Sequence, residues 1–420
     1  MKVLITIITL TLFCHEIGMA QSITKAQAKA DLSFFNQTLQ SKHPQPERHF
    51  PNFEAYCDSL ISVFPELMPM NNFAKMIAGY SNKFQDGHTY VQNSEVSADA
   101  LFFSFEIKIK NAKAYISKSF LPDSFPDLEG AEIKSINSID FSLILKNAIE
   151  MAGGETVEHR LSRIEHSFPF YLYRLLGDVQ EMEVLIENET FKLSPQLIKK
   201  EEWLSLSEFN NIPKYHFQIT DRKIGLLTFS DMSGIKKGEF SSFLKTTFKE
   251  LSDKKIDNLI IDLRDSGGGN FLFGEMLLSY LTENPYTLHQ KYQYDMQGTK
   301  VNQKMIQPIR PKSQKNKYSG DVYFLTGSYT YSSAATIIAA AKFNNIGKIV
   351  GQPIGQPYSG FIDVTNFQLP HSKLLCGTST VYYEYAGKNE ENATLGIPPD
   401  ILTDQDALEF ILERLKQDLN

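Results

Sequence analysis

Apolar residues between Ser22 and about Thr89 recur at intervals of three and four, which is the spacing of one helix face. The first such face holds Phe53, Tyr56, Cys57, Leu60, Ile61 and Phe64, and the second holds Phe73, Ile77, Tyr80 and Phe84. The pattern predicts an N-terminal helical domain over residues 21–96. His88 follows the second helix directly, so we expect it in a turn that a packed helix holds in place.

The pattern changes to strand-like alternation between about Leu101 and Ser194. The alternating apolar positions are Phe103, Phe105, Ile107 and Ile109, and later Val184, Ile186, Phe191 and Leu193 around a turn at Glu187–Glu189. We therefore predict a second domain over residues 97–195. The polar stretch from Pro195 to Lys214 is typical of an interdomain linker.

Strands and helices alternate in the last part of the chain. The predicted strands are Ile224–Phe229, Leu259–Ile261, Val322–Leu325 and Lys348–Val350, and the intervening helices include Phe271–Tyr280 and Ser332–Phe343. This order predicts an α/β domain with right-handed crossovers over residues 215–404. Residues 281–320 lack clear periodicity and are predicted to form a surface excursion.

Ser332 is the first candidate for chemistry, because it lies at the turn between a predicted strand and a predicted helix. The N–H groups of a first helical turn have no intrahelical partner and could receive the oxyanion that forms when a hydroxyl attacks a carbonyl. The alternative is that Ser332 only caps the helix, as most serines at this position do.

Two further segments could complete such a site. Gly267-Gly268-Gly269 follow the strand at Leu259–Ile261, and glycine lets backbone N–H groups approach a ligand closely. The alternatives are a plain loop or a phosphate cradle, and the second is disfavoured because no GxxxxGK[ST] string follows. The string QDGHT places His88 in a glycine-containing turn, where it is either a structural residue or the base that a serine nucleophile needs.

Together these segments resemble the C-terminal processing (tail-specific) peptidase family, including its tricorn core-protease branch. The DLRxNxGG string of that family corresponds to residues 262–269, DLRDSGGG, with Ser266 in place of Asn. Its TxSxxE string corresponds to residues 330–335, TYSSAA, with Ala335 in place of Glu. Its terminal "PD" segment corresponds to residues 396–400, GIPPD.

The resemblance implies a crotonase-like ββα-spiral catalytic domain and hydrolysis of peptide or protein substrates by a serine nucleophile, with Ser332 in that role. It also implies that the N–H groups of Gly268 and Ser333 form the oxyanion hole. A one-residue slip of the alignment would instead make Ser333 the nucleophile. The alternative function is a catalytically inactive relative that keeps the fold to bind peptides or another ligand.

A missing lysine separates the branches of this family. Many members use a Ser–Lys dyad, but residues 351–358, GQPIGQPY, contain no lysine, and neither Lys348 nor Lys373 fits the position. The resemblance then implies the Ser–His–Glu branch, with His88 as base and Glu391 as acid. Glu384 and Glu390 remain alternatives for the acid, and so does a solvated charged loop at residues 388–392.

The stretch Gly130–Asn137, GAEIKSIN, resembles the "GDxIxxING" string of PDZ domains, with Ser138 in place of the last glycine. The resemblance implies a PDZ-like domain over residues 97–195 that would bind extended substrate chains by strand addition. The alternative is a small α/β spacer without that function.

The composition and the N-terminal residues indicate which binding partners and which cellular compartment to expect. The 420-residue chain is 42% hydrophobic with a net charge of −7 and no basic block, so neither nucleic acid nor an anionic membrane surface is an expected partner. Residues 1–20 are typical of a secretory signal peptide that is cleaved after Ala20, which predicts a periplasmic or extracellular protein. A lipoprotein processed at Cys14 is the alternative, although the bulky Phe13 fits that processing poorly.

Few residues are available for covalent cross-links or metal binding. After signal cleavage only Cys57 and Cys376 remain, and they could form one disulfide. The chain has no HExxH, CxxC or clustered histidine motif, so no metal or other cofactor is expected. Nothing after the signal peptide approaches the length of a transmembrane helix.

Overall fold

The computed structural model describes residues 22–92, 96–97, 99–193, 197–220, 223–296, 299–303 and 307–417. The predicted signal peptide, residues 1–20, lies outside these ranges, so its assignment stays a prediction.

The helices are α1 (Lys25–Lys42), α2 (Phe53–Ser62), α3 (Met70–Asn82), α4 (Phe141–Met151), α5 (Val157–Leu176), α6 (Lys200–Leu206), α7 (Glu208–Asn211), α8 (Lys237–Asp253), α9 (Phe271–Leu281), α10 (Ser333–Asn344) and α11 (Ala407–Gln417). The strands before the central sheet are β1 (Ser22–Thr24), β2 (Leu67–Pro69), β3 (Tyr90–Val91), β4 (Leu101–Phe102), β5 (Phe105–Lys110), β6 (Lys113–Ser119), β7 (Glu132–Ile136), β8 (Ile139–Asp140), β9 (Glu183–Ile186), β10 (Glu189–Lys192) and β11 (Ile198–Lys199). The later strands are β12 (Tyr215–Ile219), β13 (Ile224–Phe229), β14 (Asn258–Asp262), β15 (His289–Met296), β16 (Thr299–Gln303), β17 (Asp321–Thr326), β18 (Lys348–Gly351), β19 (Ser359–Gln368), β20 (Leu375–Tyr385) and β21 (Ile401–Leu402).

The N-terminal half packs around one hydrophobic core. Helices α1–α3 contribute buried residues such as Phe35 and Phe73, and the sheet of order β10-β9-β7-β6-β5 contributes Phe105 and Ile136 to the same cluster. Helices α4 and α5 lie in this cluster as well, for example through Phe168. The segments predicted as separate helical and PDZ-like domains therefore share one core across residue 96.

The PDZ-like string folds locally as a hairpin turn. Residues 132–136 form β7, and Asn137 and Ser138 turn the chain into β8 with φ values of 50° and 61°. Ser138 thus adopts the left-handed conformation for which glycine is usual, at the position where the PDZ string has glycine. A PDZ-like binding role for this domain stays a prediction.

The segment predicted as a polar linker is instead folded. It contains α6, and Trp203 of that helix is buried, with its ring centroid 5.9 Å from that of Phe102 and 6.1 Å from that of Phe170. In addition, β11 pairs with β4. The buried Trp203 side chain and the β11–β4 pairing together attach this otherwise polar stretch to the N-terminal half.

The C-terminal half is built on a mixed sheet of order β12-β13-β14-β17-β18-β21. Only the β12–β13 pair in this order is antiparallel, and the remaining neighbours are parallel. Apolar side chains of β13 point alternately to the two faces of this sheet, and each face packs against a separate layer of helices. Ile224 and Leu226 pack toward α11, whereas Leu227 and Phe229 pack into the cluster that contains α8, α9 and α10. The α/β prediction for this part of the chain is confirmed.

A second sheet of order β16-β15-β20-β19 connects the two halves. Strand β3, two residues after His88, pairs with β20 through Val91–Cys376 and Tyr90–Gly377. This pairing fixes the His88 turn against the C-terminal half. The stretch predicted as an irregular excursion, residues 281–320, supplies β15 and β16 to the same sheet.

Cys57 and Cys376 are both buried and both free, so the disulfide considered from the sequence does not form. One lies in α2 and the other in β20. No helix in the described ranges is long and apolar enough to cross a membrane.

Candidate active site

Ser332 lies between β17 and α10, at the carboxyl end of a central parallel strand, where ligand sites of α/β sheets usually occur. Its φ of 52° and ψ of −124° are unusual for a residue with a side chain. Such a conformation costs about 1–3 kcal/mol and persists only where the surroundings enforce it. Here the Ser332 N–H donates to Oε1 of Gln356 at 2.5 Å, which helps to hold the turn.

The ring of His88 faces the Ser332 hydroxyl. His88 Nε2 lies 3.1 Å from Ser332 Oγ, which is within hydrogen-bond reach. Burial lowers the pKa of His88 from its ordinary value, and the positive charge of Arg163 lowers it further, against the opposing effect of Asp86. A neutral imidazole therefore meets the hydroxyl at neutral pH.

Asp86 fixes the turn that carries His88. Its carboxylate accepts the His88 backbone N–H at 2.9 Å and the hydroxyls of Thr89 and Ser379 at 2.6 and 2.7 Å. Burial alone would raise its pKa, but the hydrogen bond and charge of His43, with the charge of His88, lower the pKa to about 2. The carboxylate is therefore ionised. It lies 3.8 Å from His88 Nδ1, beyond a normal hydrogen bond.

Tyr331 is the nearest partner of the second ring nitrogen. Its hydroxyl lies 3.3 Å from His88 Nδ1 and donates to the Glu155 carboxylate, whose oxygens are 2.9 and 2.8 Å away. The two rings stack with centroids 4.9 Å apart. Gly87 makes room for this contact, since a Cβ there would lie 2.4 Å from the Tyr331 hydroxyl oxygen.

The structure does not bring Glu391 to the His88 ring. Glu391 is exposed, and its backbone N–H donates to Asn389 in a solvent-facing turn. Glu390 is also exposed, and Glu384 on β20 accepts from Tyr382 and Gln290. The expectation that one of these three glutamates lies beside the His88 ring is therefore corrected. The carboxylates that lie there are those of Asp86 and Glu155.

The loop after β14, which contains Gly268, lies against the turn that carries Ser332. A Cβ at Gly268 would lie 2.6 Å from the Ser333 nitrogen and 2.7 Å from the Ser332 Cβ, and its φ of 91° also favours glycine. Two hydrogen bonds join these loops, from the Tyr331 N–H to the Ser266 carbonyl and from the Thr330 hydroxyl to the Leu263 carbonyl.

The N–H groups of Gly268 and Ser333 donate to no other group within the described part of the chain. Ser333 follows Ser332 in the chain and Gly268 packs against Ser332, so these two N–H groups are candidates to bind an oxygen there. The Ser333 side chain, in contrast, is committed, because its hydroxyl donates to the Gly269 carbonyl. This geometry favours Ser332 over Ser333 as the reactive serine.

Gln356, from the segment in which a dyad lysine would be expected, lies beside Ser332 instead. Its amide oxygen accepts the Ser332 N–H, and its side chain is fully buried. Lys373, the lysine considered from the sequence, is exposed and donates to the Pro370 carbonyl. Lys214 lines the cleft but is paired with Asp231. The described geometry thus offers His88 as the base.

A cleft of about 1520 Å³ opens over these residues, between the two halves of the chain. Its walls include Arg163 and His166 from α5, Asp231 from the loop after β13, and Tyr292 from β15. This volume exceeds that of a typical small-molecule pocket, so it can accommodate an extended chain.

One group in the site has the donor types of a metal centre. Donor atoms of Asp86, His88 and Glu155 lie within 4.8 Å of one another. Two of these residues, Glu155 and His88, are already in contact with the Tyr331 hydroxyl. The third, Asp86, already accepts three hydrogen bonds. The atoms that could bind a metal ion are thus already bound to protein groups, and this arrangement does not fit a resident ion.

Some of these residues could have been found from the sequence. Asp86 stands two positions before His88, and Tyr331 stands directly before Ser332. Glu155 has no such signal, because it lies in a loop before α5 that carries no motif.

Solved structures share this fold over nearly the whole chain. Mature CPAF has a TM-score of 0.66 at 15% identity, covering 93% of this chain and 96% of that chain. Mature CPAF complexed with lactacystin has a TM-score of 0.65 at 14% identity, covering 94% and 98%. No curated protein matches the chain in sequence.

A family model matches the C-terminal half. Residues 223–403 match Peptidase family S41, a range that includes the turn at Ser332 and the loop at Gly267–Gly269. The match agrees with the family resemblance found in the sequence. Over this stretch the chain is similar to peptidase family S41.

Proposed function

We propose that this protein is a serine peptidase in which Ser332 is the nucleophile and His88 the general base. The observation that carries the proposal is the 3.1 Å contact between His88 Nε2 and Ser332 Oγ, made where Ser332 is held in a strained turn. A serine hydroxyl is a weak nucleophile on its own and needs such a base. The match to peptidase family S41 supports a peptide bond as the bond that is cleaved.

The acylation step follows from the positions of these groups. Ser332 Oγ attacks the carbonyl carbon of the substrate while His88 Nε2 takes the hydroxyl proton. The carbonyl oxygen becomes an oxyanion, which the N–H groups of Gly268 and Ser333 stabilise. The C–N bond then breaks, and the imidazolium gives its proton to the leaving amine, so that an ester to Ser332 remains.

Deacylation repeats these roles with water. His88 takes a proton from a water molecule whose oxygen attacks the ester carbonyl, and the same two N–H groups receive the second oxyanion. Collapse breaks the bond to Ser332 Oγ, which recovers its proton from the imidazolium. The products are a carboxylate and free enzyme.

The test is covalent labelling by a serine-directed fluorophosphonate, combined with hydrolysis of a fluorescent casein. We expect the unmodified protein to be labelled and active, Ser332→Ala to lose both properties, and Ser333→Ala to keep labelling with weaker turnover. Lactacystin, which is bound in one CPAF structure, is a second active-site probe. The reverse pattern in the two serine variants would reassign the nucleophile, and an unlabelled wild-type protein would refute the proposal.

We also propose that the protein acts beyond the cytoplasmic membrane, in the periplasm or outside the cell. The support is the predicted signal peptide at residues 1–20, with Lys2 before an apolar run and Ala20 at the cleavage site.

A further inference from the structure

The role of His88 as base requires one ring tautomer. Nε2 can accept the Ser332 proton only if the ring proton is on Nδ1. That Nδ1–H needs an acceptor, because an unpartnered buried donor is costly. The Tyr331 hydroxyl lies 3.3 Å from Nδ1, within hydrogen-bond reach, whereas Asp86 is 3.8 Å away and already accepts three other hydrogen bonds.

The Tyr331 hydroxyl can accept from Nδ1–H only while its own proton points elsewhere. A hydroxyl has one proton and two lone pairs. When Glu155 is ionised, the phenol proton is given to the carboxylate at 2.8–2.9 Å, and a lone pair remains for Nδ1–H. When Glu155 is protonated, it donates to the phenol, whose proton can then turn to Nδ1 and favour the unproductive tautomer.

We propose that Glu155 is the acidic member of this site and acts through Tyr331, so that a Ser332–His88–Tyr331–Glu155 chain stands where a direct Ser–His–carboxylate triad would be. Glu155 and Tyr331 are positioning residues, since neither touches the reacting atoms. The ionised carboxylate sets the tautomer of His88 in the resting enzyme. It also attracts the imidazolium that forms during reaction.

The packing around the carboxylate supports this role. Gly87 leaves space for both groups, because a Cβ there would lie 2.4 Å from the Tyr331 oxygen and 3.4 Å from Glu155 Oε2. The ring of Tyr331 is held on its other side by His159, with centroids 4.1 Å apart and planes 12° apart. His159 Nδ1 is in turn bound to the Ser328 carbonyl at 2.9 Å. The phenol therefore has a fixed position between the ring and the carboxylate.

The charge state of Glu155 depends on several neighbours. The titratable or charged groups that act on it, or on which it acts, are Asp86, His88, Arg160, Arg163, Tyr331, Tyr383 and Tyr385. Burial and the charge of Asp86 raise the pKa of Glu155 to about 8, against the hydrogen bond from Tyr331 and the N–H groups of Glu155 and Gly87. The productive tautomer is therefore favoured on the mildly alkaline side of neutrality.

The kinetic test rests on the proposed peptidase function and uses Glu155→Gln and Tyr331→Phe in the full chain. Each variant should lower kcat by about 10²-fold or more with little change in KM, within the range that general base catalysis contributes. The rise of kcat through about pH 8 in the unmodified enzyme should disappear in both. Glu158→Gln, an exposed neighbour in α5, and Glu391→Gln should keep wild-type kcat and pH profile.

A direct measurement needs no variant to be active. Nitrogen chemical shifts of the His88 ring, assigned by comparison with His88→Ala, report which nitrogen carries the proton. We expect Nδ1–H above about pH 8 in the unmodified protein and a shift toward Nε2–H in Glu155→Gln. Thermal melts identify any variant that fails to fold. If a variant fails, the chemical shifts of the His88 ring in the unmodified protein still show whether the proton is on Nδ1.

The outcomes separate the two proposals. A wild-type protein that fluorophosphonate does not label refutes the peptidase, and the ring tautomer still tests the relay. A labelled protein whose Glu155→Gln and Tyr331→Phe variants keep normal kcat and pH dependence overturns the relay alone. An Nε2–H tautomer in the unmodified protein above about pH 8 also overturns it.

Discussion

His88 Nε2 lies 3.1 Å from Ser332 Oγ, although the two residues are 244 positions apart in the chain. The pairing of β3 with β20 makes this contact possible, because it fixes the strand just after His88 to the C-terminal half. Asp86 adds a second connection, since it accepts the hydroxyl of Ser379 on β20 as well as the His88 N–H. The proposed base and the proposed nucleophile thus come from opposite halves, and the cleft lies between them.

Gly268→Ala should abolish most of the turnover. The added Cβ would lie 2.6 Å from the Ser333 nitrogen, and the φ of 91° is strained for alanine, so both oxyanion donors would move. Loss of one such donor typically costs about 10²–10³-fold in kcat. Steady-state hydrolysis checks this, and fluorophosphonate labelling shows whether Ser332 itself stays reactive. Normal kcat in this variant would exclude Gly268 from the oxyanion hole.

Gly87→Ala tests the space that the Tyr331 hydroxyl occupies. Its Cβ would lie 2.4 Å from the phenol oxygen, so Tyr331 and the His88 turn must shift. Overpacking of this kind costs about 1–3 kcal/mol of stability, and we expect turnover to fall with it. Gly238→Ala in α8 is the matched control, because its added Cβ meets no atom within 4 Å beyond its chain neighbours and its own helix. Only Gly87→Ala should lower kcat and the stability to urea, whereas Gly238→Ala should keep kcat and be as stable as the unmodified protein or slightly more stable, because alanine favours the helix.

His88→Ala should lower turnover by about 10²–10⁴-fold, the usual contribution of a general base. Its pKa lies below the ordinary value of 6.5 because the ring is buried. The neutral ring is the active form, so kcat/KM should rise with pH through a pKa on the acid side of 6.5. A profile of kcat/KM from about pH 4 to about pH 9 measures this limb. Near-normal turnover of the variant would make another group the base.

Glu155→Gln should make the fold more stable at mildly alkaline pH. The pKa of Glu155 is raised from 4.5 to about 8 on folding. Between these values the unfolded chain loses the proton while the folded chain keeps it, so wild-type stability falls as pH rises. Glutamine removes this dependence, so the stability of the variant relative to the unmodified protein should rise between about pH 5 and about pH 8.

Urea unfolding at about pH 5 and about pH 8 measures this gain. Glu158→Gln should not change the difference between the two pH values, because its side chain is exposed. An equal effect of Glu155→Gln at both pH values would show that Glu155 is not buried as a neutral acid.

The exported protein should begin at Gln21 or within a residue or two of it. Residues 1–20 have the charged start, apolar run and small residue at the end that signal peptidase requires. N-terminal sequencing or intact mass of material recovered outside the cytoplasm tests the cleavage site. Acylated protein that begins at Cys14 would favour the lipoprotein alternative instead.

The sequence by itself determined the elements and the local half of the site. The strand Ile224–Phe229 and the helix at residues 333–344 follow from hydrophobic periodicity, which is a local property. Ser332 and the glycine loop could be predicted because each follows a buried strand within a few residues. The carboxyl ends of neighbouring parallel strands lie at one edge of a sheet, so two local signals indicated one site.

Only the tertiary structure decided which carboxylates lie near His88. Glu391 was predicted from its place in the chain before residues 396–400, but that turn faces solvent. Glu155 comes from a loop before α5, and its contact with Tyr331 spans 176 positions. A motif records neighbours along the chain, whereas the proton on a buried ring responds to any charge within a few ångströms in space. The packing of the two halves therefore determines which carboxylate lies beside the base.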